Sequence, residues 1–229
     1  MKMLLFSNSG KPLYHWCKQI IADFFKDKSV YFISAASAFD ESQYFASASQ
    51  VLKPLGVKLN HLLFDKISAD DLDKIDAFLV GGGNTYRLLL EVKKYKLAEK
   101  IRSRVWGGAL YVGLSAGANI TGSDILTTND WNILGSTDFE GLKLVPFNIN
   151  PHYGAPQDRI LTSAESRDDR IKEYHQFHNN PVVALEEETY LEANDKHFRV
   201  GNSSKGIVKV FLRNKEPEIY KAGELISIK

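Results

Sequence analysis

The first half of the chain alternates short apolar runs with longer amphipathic stretches, and this alternation limits the fold more than any other feature. "MLLFS" (3–7), "VYFIS" (30–34), "VKLNHLLF" (57–64), "DAFLV" (76–80) and "ALYVG" (109–113) read as buried strands. Between them, helical spacing runs from about Pro12 to Asp27, Asp40 to Leu52, Thr85 to Val92 and Leu97 to Trp106. Apolar strands separated by helices need crossover connections, which make a mainly parallel sheet covered on both faces. The expected fold is therefore α/β, a three-layer α/β/α sandwich.

After Gly122 the pattern changes. Extended pieces around "DILTTND" and "KLVPFNINPHYG" precede a charged helix from about Glu165 to Phe177. "PVVALE", "TYLEA", "HFRVG", "IVKVFLR" and "EIY" follow, separated by Asn, Asp, Gly and Ser clusters that signal hairpins, so a C-terminal antiparallel extension is expected. No composition shift, repeat or linker divides the chain, which reads as one domain over residues 1–229.

Charge and cysteine usage narrow the function. Basic and acidic residues number 29 and 28 with no long like-charged block, which argues against nucleic acid or an anionic membrane as partner. The single cysteine, Cys17, excludes an internal disulfide and fits a reducing compartment. "MKMLLFSNSG" is too short an apolar stretch for a signal peptide, and no later run approaches a membrane span. A cytoplasmic protein, monomer or homodimer, is expected.

Two stretches open the chemistry. "YVGLSAGANI" puts Ser115 between small residues where a strand gives way to a helix, the setting that projects a nucleophilic hydroxyl from a sharp elbow. The bland alternative is a serine capping that helix. "FLVGGGNTYRLL" sets Gly81, Gly82 and Gly83 after the fourth strand without the spacing of a phosphate or dinucleotide loop. An oxyanion hole pairing the N–H groups of Gly83 and Ala116 is the sharper reading, with no cofactor or metal needed.

The serine also needs a base and an orienting acid. Of six histidines, His152 in "NINPHYG" follows a strand, stiffened by Pro151, and is the candidate base. Two acids compete for the third place: Asp130 in "TTNDW" and Glu187 in "VVALEEETYLE", the latter inside a glutamate triplet that reads as a solvated turn.

Together "SNSG", "VGGGNTYRLL", "GALYVGLSAGANI", "TTND" and "NINPHY" resemble the peptidase E family of aspartyl dipeptidases, serine peptidases grouped with cyanophycinase. The resemblance implies a class I glutamine amidotransferase-like fold and cleavage of dipeptides with an N-terminal aspartate. It implies Ser115 as nucleophile, His152 as base, Gly83 and Ala116 as oxyanion donors, and either Asp130 or Glu187 as the acid. Asp130 comes first because its motif is intact, whereas the neighbours of Glu187 depart from the family's Pro-Glu-Gly. Leu114 departs from a frequent tryptophan. Arg167, read cold as part of an exposed charged helix, falls on the family's substrate-binding arginine, suited to gripping a carboxylate. Two alternatives stand beside this reading: a cyanophycinase-like hydrolase of aspartyl-arginine polymer, and a non-catalytic binding module of the same fold.

Overall fold

Alternate side chains of the early strands enter two different cores, as a period of two dictates for a sheet covered on both faces. The computed structural model describes residues 1–37, 39–154, 165–195 and 197–228. Leu4 and Phe6 of β1 (Lys2–Phe6), Phe32 of β2 (Ser29–Ile33), Leu79 of β4 (Ala77–Val80) and Val112 of β5 (Leu110–Leu114) face α1 (Lys18–Phe24) and α2 (Glu41–Leu52). Met3, Leu5, Ile33, Phe78 and Tyr111 face the opposite core, with Leu88 and Leu89 of α4 (Thr85–Lys94) and Ile101 and Val105 of α5 (Ala98–Trp106). Each fully buried Leu or Phe contributes roughly 1.5–3 kcal/mol. The expected α/β layering with a mainly parallel sheet is present.

With β3 (Lys58–His61), β8 (Tyr190–Asn194) and β9 (Phe198–Val200), the main sheet has order β3-β2-β4-β5-β1-β8-β9. The first five positions are parallel, and β8 and β9 join antiparallel at the β1 edge. A second sheet, order β11-β10-β7-β6, contains β6 (Asn148–Tyr153), β7 (Val182–Glu186), β10 (Val208–Phe211) and β11 (Glu218–Tyr220). Ile149, Val183, Leu185, Val208 and Val210 pack into the core that also holds α4 and α5. Its outer face takes α7 (Arg167–Phe177) through Ile171 and Tyr174.

Three local expectations are corrected. The first helix begins at Lys18, because Tyr14 adopts a left-handed φ of 62° and residues 13–17 form turns. A short helix, α3 (Ala69–Leu72), lies between β3 and β4. "PVVALE" and "TYLEA" do not form a hairpin: β7 and β8 belong to different sheets, and β6 pairs with β7 in parallel. The turn between them carries Glu188 with φ 55°, which redirects the chain from one sheet to the other.

The strand β5 feeds directly into α6 (Ala116–Asn119), and glycine permits the close approach there. A Cβ on Gly117 would lie 2.3 Å from the carbonyl oxygen of Val80, and one on Gly113 would lie 2.3 Å from that of Gly117. Gly117→Ala should therefore lower stability by roughly 1–3 kcal/mol as an overpacking change. The check is the urea midpoint, with Gly107→Ala, whose added methyl meets only its own helix end, as a milder reference.

Candidate active site

β1 and β5 run parallel side by side with Phe6 opposite Leu114, so their carboxyl ends come out together at the same end of the sheet. There the Ser115 N–H donates to the Phe6 carbonyl at 2.9 Å. Ser115 itself has φ 51° and ψ −106°, outside the regions open to most L-residues. Such a conformation costs on the order of 1–3 kcal/mol and is kept where the surroundings enforce it. Its hydroxyl makes no capping bond to α6, the bland role considered above; its oxygen lies 2.7 Å from His152 Nε2.

His152 lies inside β6 rather than in the loop after a strand, and its φ is 58°. Its N–H donates to the Ser7 hydroxyl at 2.9 Å, and that hydroxyl donates in turn to the Leu185 carbonyl at 3.1 Å. The Asn129 side chain donates to the carbonyl of Pro151, the residue before it. These bonds hold the backbone while the imidazole Nδ1 sits 2.9 Å from Glu187 Oε1. An ionised carboxylate only accepts, so with Glu187 ionised the ring donates through Nδ1–H and Nε2 is left to accept the Ser115 hydroxyl proton. Serine, imidazole and carboxylate thus form a continuous hydrogen-bonded line, the arrangement needed to activate a hydroxyl.

All three glutamates of the triplet are engaged. Glu186 accepts the Ile207 N–H at 2.9 Å, and Glu188 pairs with His15 at 3.2 Å and with Lys205 at 2.5 Å. The Lys205 ammonium holds the Glu188 carboxyl below the usual carboxylate range. Glu187 keeps Oε2 shielded from solvent without a hydrogen-bond partner among the described residues. A buried polar atom left so is costly.

Asp130 lies elsewhere. Its Oδ2 accepts the Thr85 N–H at 2.7 Å and the Thr128 hydroxyl at 3.0 Å, at the start of α4. It supplements Asn84, whose side chain caps the same helix through the Arg87 N–H. Of the two candidate acids, the one bonded to His152 is Glu187.

Gly83 lines the cavity of Ser115, has φ 141°, and lies so close to Ala36 that a Cβ would meet the Ala36 carbonyl oxygen at 2.2 Å. Among the described residues neither the Gly83 nor the Ala116 N–H donates to a protein acceptor. Helix α6 has only four residues, so any charge stabilisation here comes from these local amides rather than from a long helix dipole. The cavity, about 730 Å³, also receives Lys11, His15, Tyr44, Glu187 and Glu188. Arg167, the first residue of α7, lines a different cavity of about 490 Å³ with Thr128, Asn129 and Asn150.

Residue patterning did not single out Ser7, Asn129 or Tyr44. Ser7 and Asn129 hold the His152 backbone, and the Tyr44 hydroxyl accepts the Gly82 N–H at 3.1 Å. Ser7 and Asn129 stand in "SNSG" and "TTND", where neither spacing nor residue type marks them; Tyr44 looks like any helical aromatic.

This fold and this line of side chains have the geometry that activates a hydroxyl, and comparison with known proteins supplies the family. The model of Peptidase family S51 matches residues 3–201, and the chain belongs to that family. A probable alpha-aspartyl dipeptidase of Drosophila melanogaster is 35% identical over 215 residues, covering 90% of this chain and 89% of that protein. A peptidase E of Nostoc sp. is 32% identical, covering 89% and 87%. The crystal structure of a putative peptidase E from Listeria monocytogenes superposes with a TM-score of 0.67 at 25% identity, covering 87% of this chain and 96% of that one. Membership makes the chain a peptidase. Among the described residues no helix is long and apolar enough to cross a membrane.

The placement of Asp130 yields a stability prediction. Asp130→Ala leaves the buried Thr85 N–H without its acceptor and should cost about 1–2 kcal/mol, the range for a lost cap. Chemical denaturation of the variant checks it.

Proposed function

We propose that the protein is a serine dipeptidase that hydrolyses dipeptides with an N-terminal aspartate. The observation that carries the reading is the unbroken line Ser115 Oγ–His152–Glu187, at 2.7 and 2.9 Å, with a strained backbone at both serine and histidine. Ser115 Oγ attacks the carbonyl carbon of the aspartyl residue as His152 Nε2 takes its proton. The N–H groups of Gly83 and Ala116 receive the negative charge that develops on the carbonyl oxygen. His152 then passes the proton to the departing amine, the C–N bond breaks, and an aspartyl ester remains on Ser115. Water, activated by the same imidazole, hydrolyses that ester and restores the hydroxyl. Glu187 steadies the imidazolium throughout, and Asp130 supports α4 and the glycine loop from behind.

The aspartate preference rests on the resemblance and on the relatives' names. Arg167 is the proposed carboxylate reader, although it lines a different cavity; Lys11 lines the serine's own cavity and is the second candidate. The cytoplasm, with its free small peptides, is the proposed setting.

Ser115→Ala should reduce turnover of an Asp-X dipeptide by several orders of magnitude with an unchanged melting temperature. Full activity in that variant would remove the serine from the reaction. Glu187→Gln should lower kcat by a factor of about 10⁴, as loss of the orienting acid does, while Asp130→Asn should lower it far less. Equal losses would return Asp130 to the relay. A panel of Asp-X, Glu-X and Ala-X dipeptides with Arg167→Ala and Lys11→Gln then reads specificity: the true reader loses the preference for Asp. Release of aspartyl-arginine from cyanophycin by the wild-type enzyme would instead favour the polymer hydrolase.

A further inference from the structure

A second cluster of polar side chains lies at the carboxyl ends of β2 and β3, outside the relay. Ser34, fully buried just after β2, has its hydroxyl 3.0 Å from Glu41 Oε2 and 2.8 Å from His61 Nε2. The Arg87 guanidinium binds Glu41 Oε1 through Nη2 at 3.1 Å and the Ala35 carbonyl through Nε at 3.1 Å. The His61 ring stacks on Phe45, centroids 4.5 Å apart and planes inclined by 2°.

The protons in this cluster are determined by its partners. A hydroxyl has one hydrogen, and ionised Glu41, paired with Arg87, can only accept; Ser34 therefore donates to Glu41. His61 must then donate to the Ser34 oxygen, which requires a proton on Nε2. Burial pushes the His61 imidazolium below its ordinary range, so the neutral ring is the Nε2–H tautomer. The Ser34 hydroxyl and the His61 Nε2–H each point one way only, which makes the cluster a stiff support.

The supported element is the turn 34–37, closed by the Ser37 N–H on the Ser34 carbonyl at 2.8 Å. Ala36 in that turn accepts the Asn84 N–H at 2.8 Å and packs directly against the backbone of Gly83. The turn is consequently a template for the loop that carries an oxyanion donor. We propose that Ser34, Glu41, His61 and Arg87 are positioning residues that hold the Ala35–Ala36 turn against Gly83 and so aim its N–H at the oxyanion. The inference rests on the serine-peptidase reading, with Gly83 as donor.

Positioning of a donor that works only in the transition state affects kcat and leaves KM in place. His61→Leu keeps the ring's bulk but loses the donor; His61→Gln retains an N–H near the same point. The expected result is a fall in kcat of about tenfold for His61→Leu and Ser34→Ala, part of the 10²–10³ attached to a whole oxyanion donor, with KM within about twofold. Labelling of Ser115 by a fluorophosphonate, whose phosphoryl oxygen occupies the same hole, should slow in parallel, and His61→Gln should restore both. Melting temperatures show that each variant is folded at the assay temperature. Wild-type kcat and labelling rates in His61→Leu and Ser34→Ala would overturn the proposal, as would a loss in His61→Leu that His61→Gln does not relieve. The wild-type enzyme separates the two readings: if Ser115 is not labelled there, the serine-peptidase reading fails first; if it is labelled and the variants match it, only the positioning role falls.

Discussion

Two consecutive residues at the end of β1 hold the backbones of both Ser115 and His152. The Phe6 carbonyl accepts the Ser115 N–H, and the next hydroxyl, Ser7, accepts the His152 N–H while donating to Leu185. Ser115 comes from the main sheet and His152 from the second sheet, so their meeting depends on how the two sheets are joined. Fully buried Ser7 is one joint, beside the shared apolar core and the Asn119 side chain, which donates to the Ile149 carbonyl.

Around this joint, strain and close packing act together. Ser115 and His152 hold backbone conformations that free chains avoid, and the compensation lies in surrounding bonds: Phe6 for one, Ser7 and Asn129 for the other. Gly82 follows the same rule from the opposite side. A Cβ there would sit 3.2 Å from Ser115 Cβ, so the glycine loop lies flat against Ser115. The loop is then fixed by the Tyr44 hydroxyl on one flank and the Ala36 carbonyl on the other. Rigid placement of both groups is what the proposed chemistry needs, since fixed dipoles stabilise a developing charge without reorganising.

Much of the fold was legible because parallel strands buried on both faces are apolar throughout and the intervening helices carry their own period. The elbow serine and triple glycine were legible for a related reason: small residues in a row have few uses other than close backbone approach. The acid was harder. Asp130 and Glu187 are both carboxylates at strand or loop ends, and their difference arises only from tertiary placement, one over the start of α4 and the other beside His152. His152 looked like a loop residue since Pro151 and Gly154 flank it, yet β6 continues through it with a shifted register against β7. The two-sheet division was hidden for the same reason: a turn of glutamates reads as solvent-exposed until each carboxylate is found on its own partner.

The most direct measurement is a crystal structure with the α-aminoboronic acid analogue of aspartate, which forms a tetrahedral adduct with an activated hydroxyl. The account predicts boron bonded to Ser115 Oγ, one boronate oxygen within hydrogen-bonding distance of the Gly83 and Ala116 N–H groups, and His152 still bonded to Glu187. An analogue that inhibits the enzyme while bound away from Ser115, or a Ser115 adduct whose oxygen faces neither amide, would contradict it.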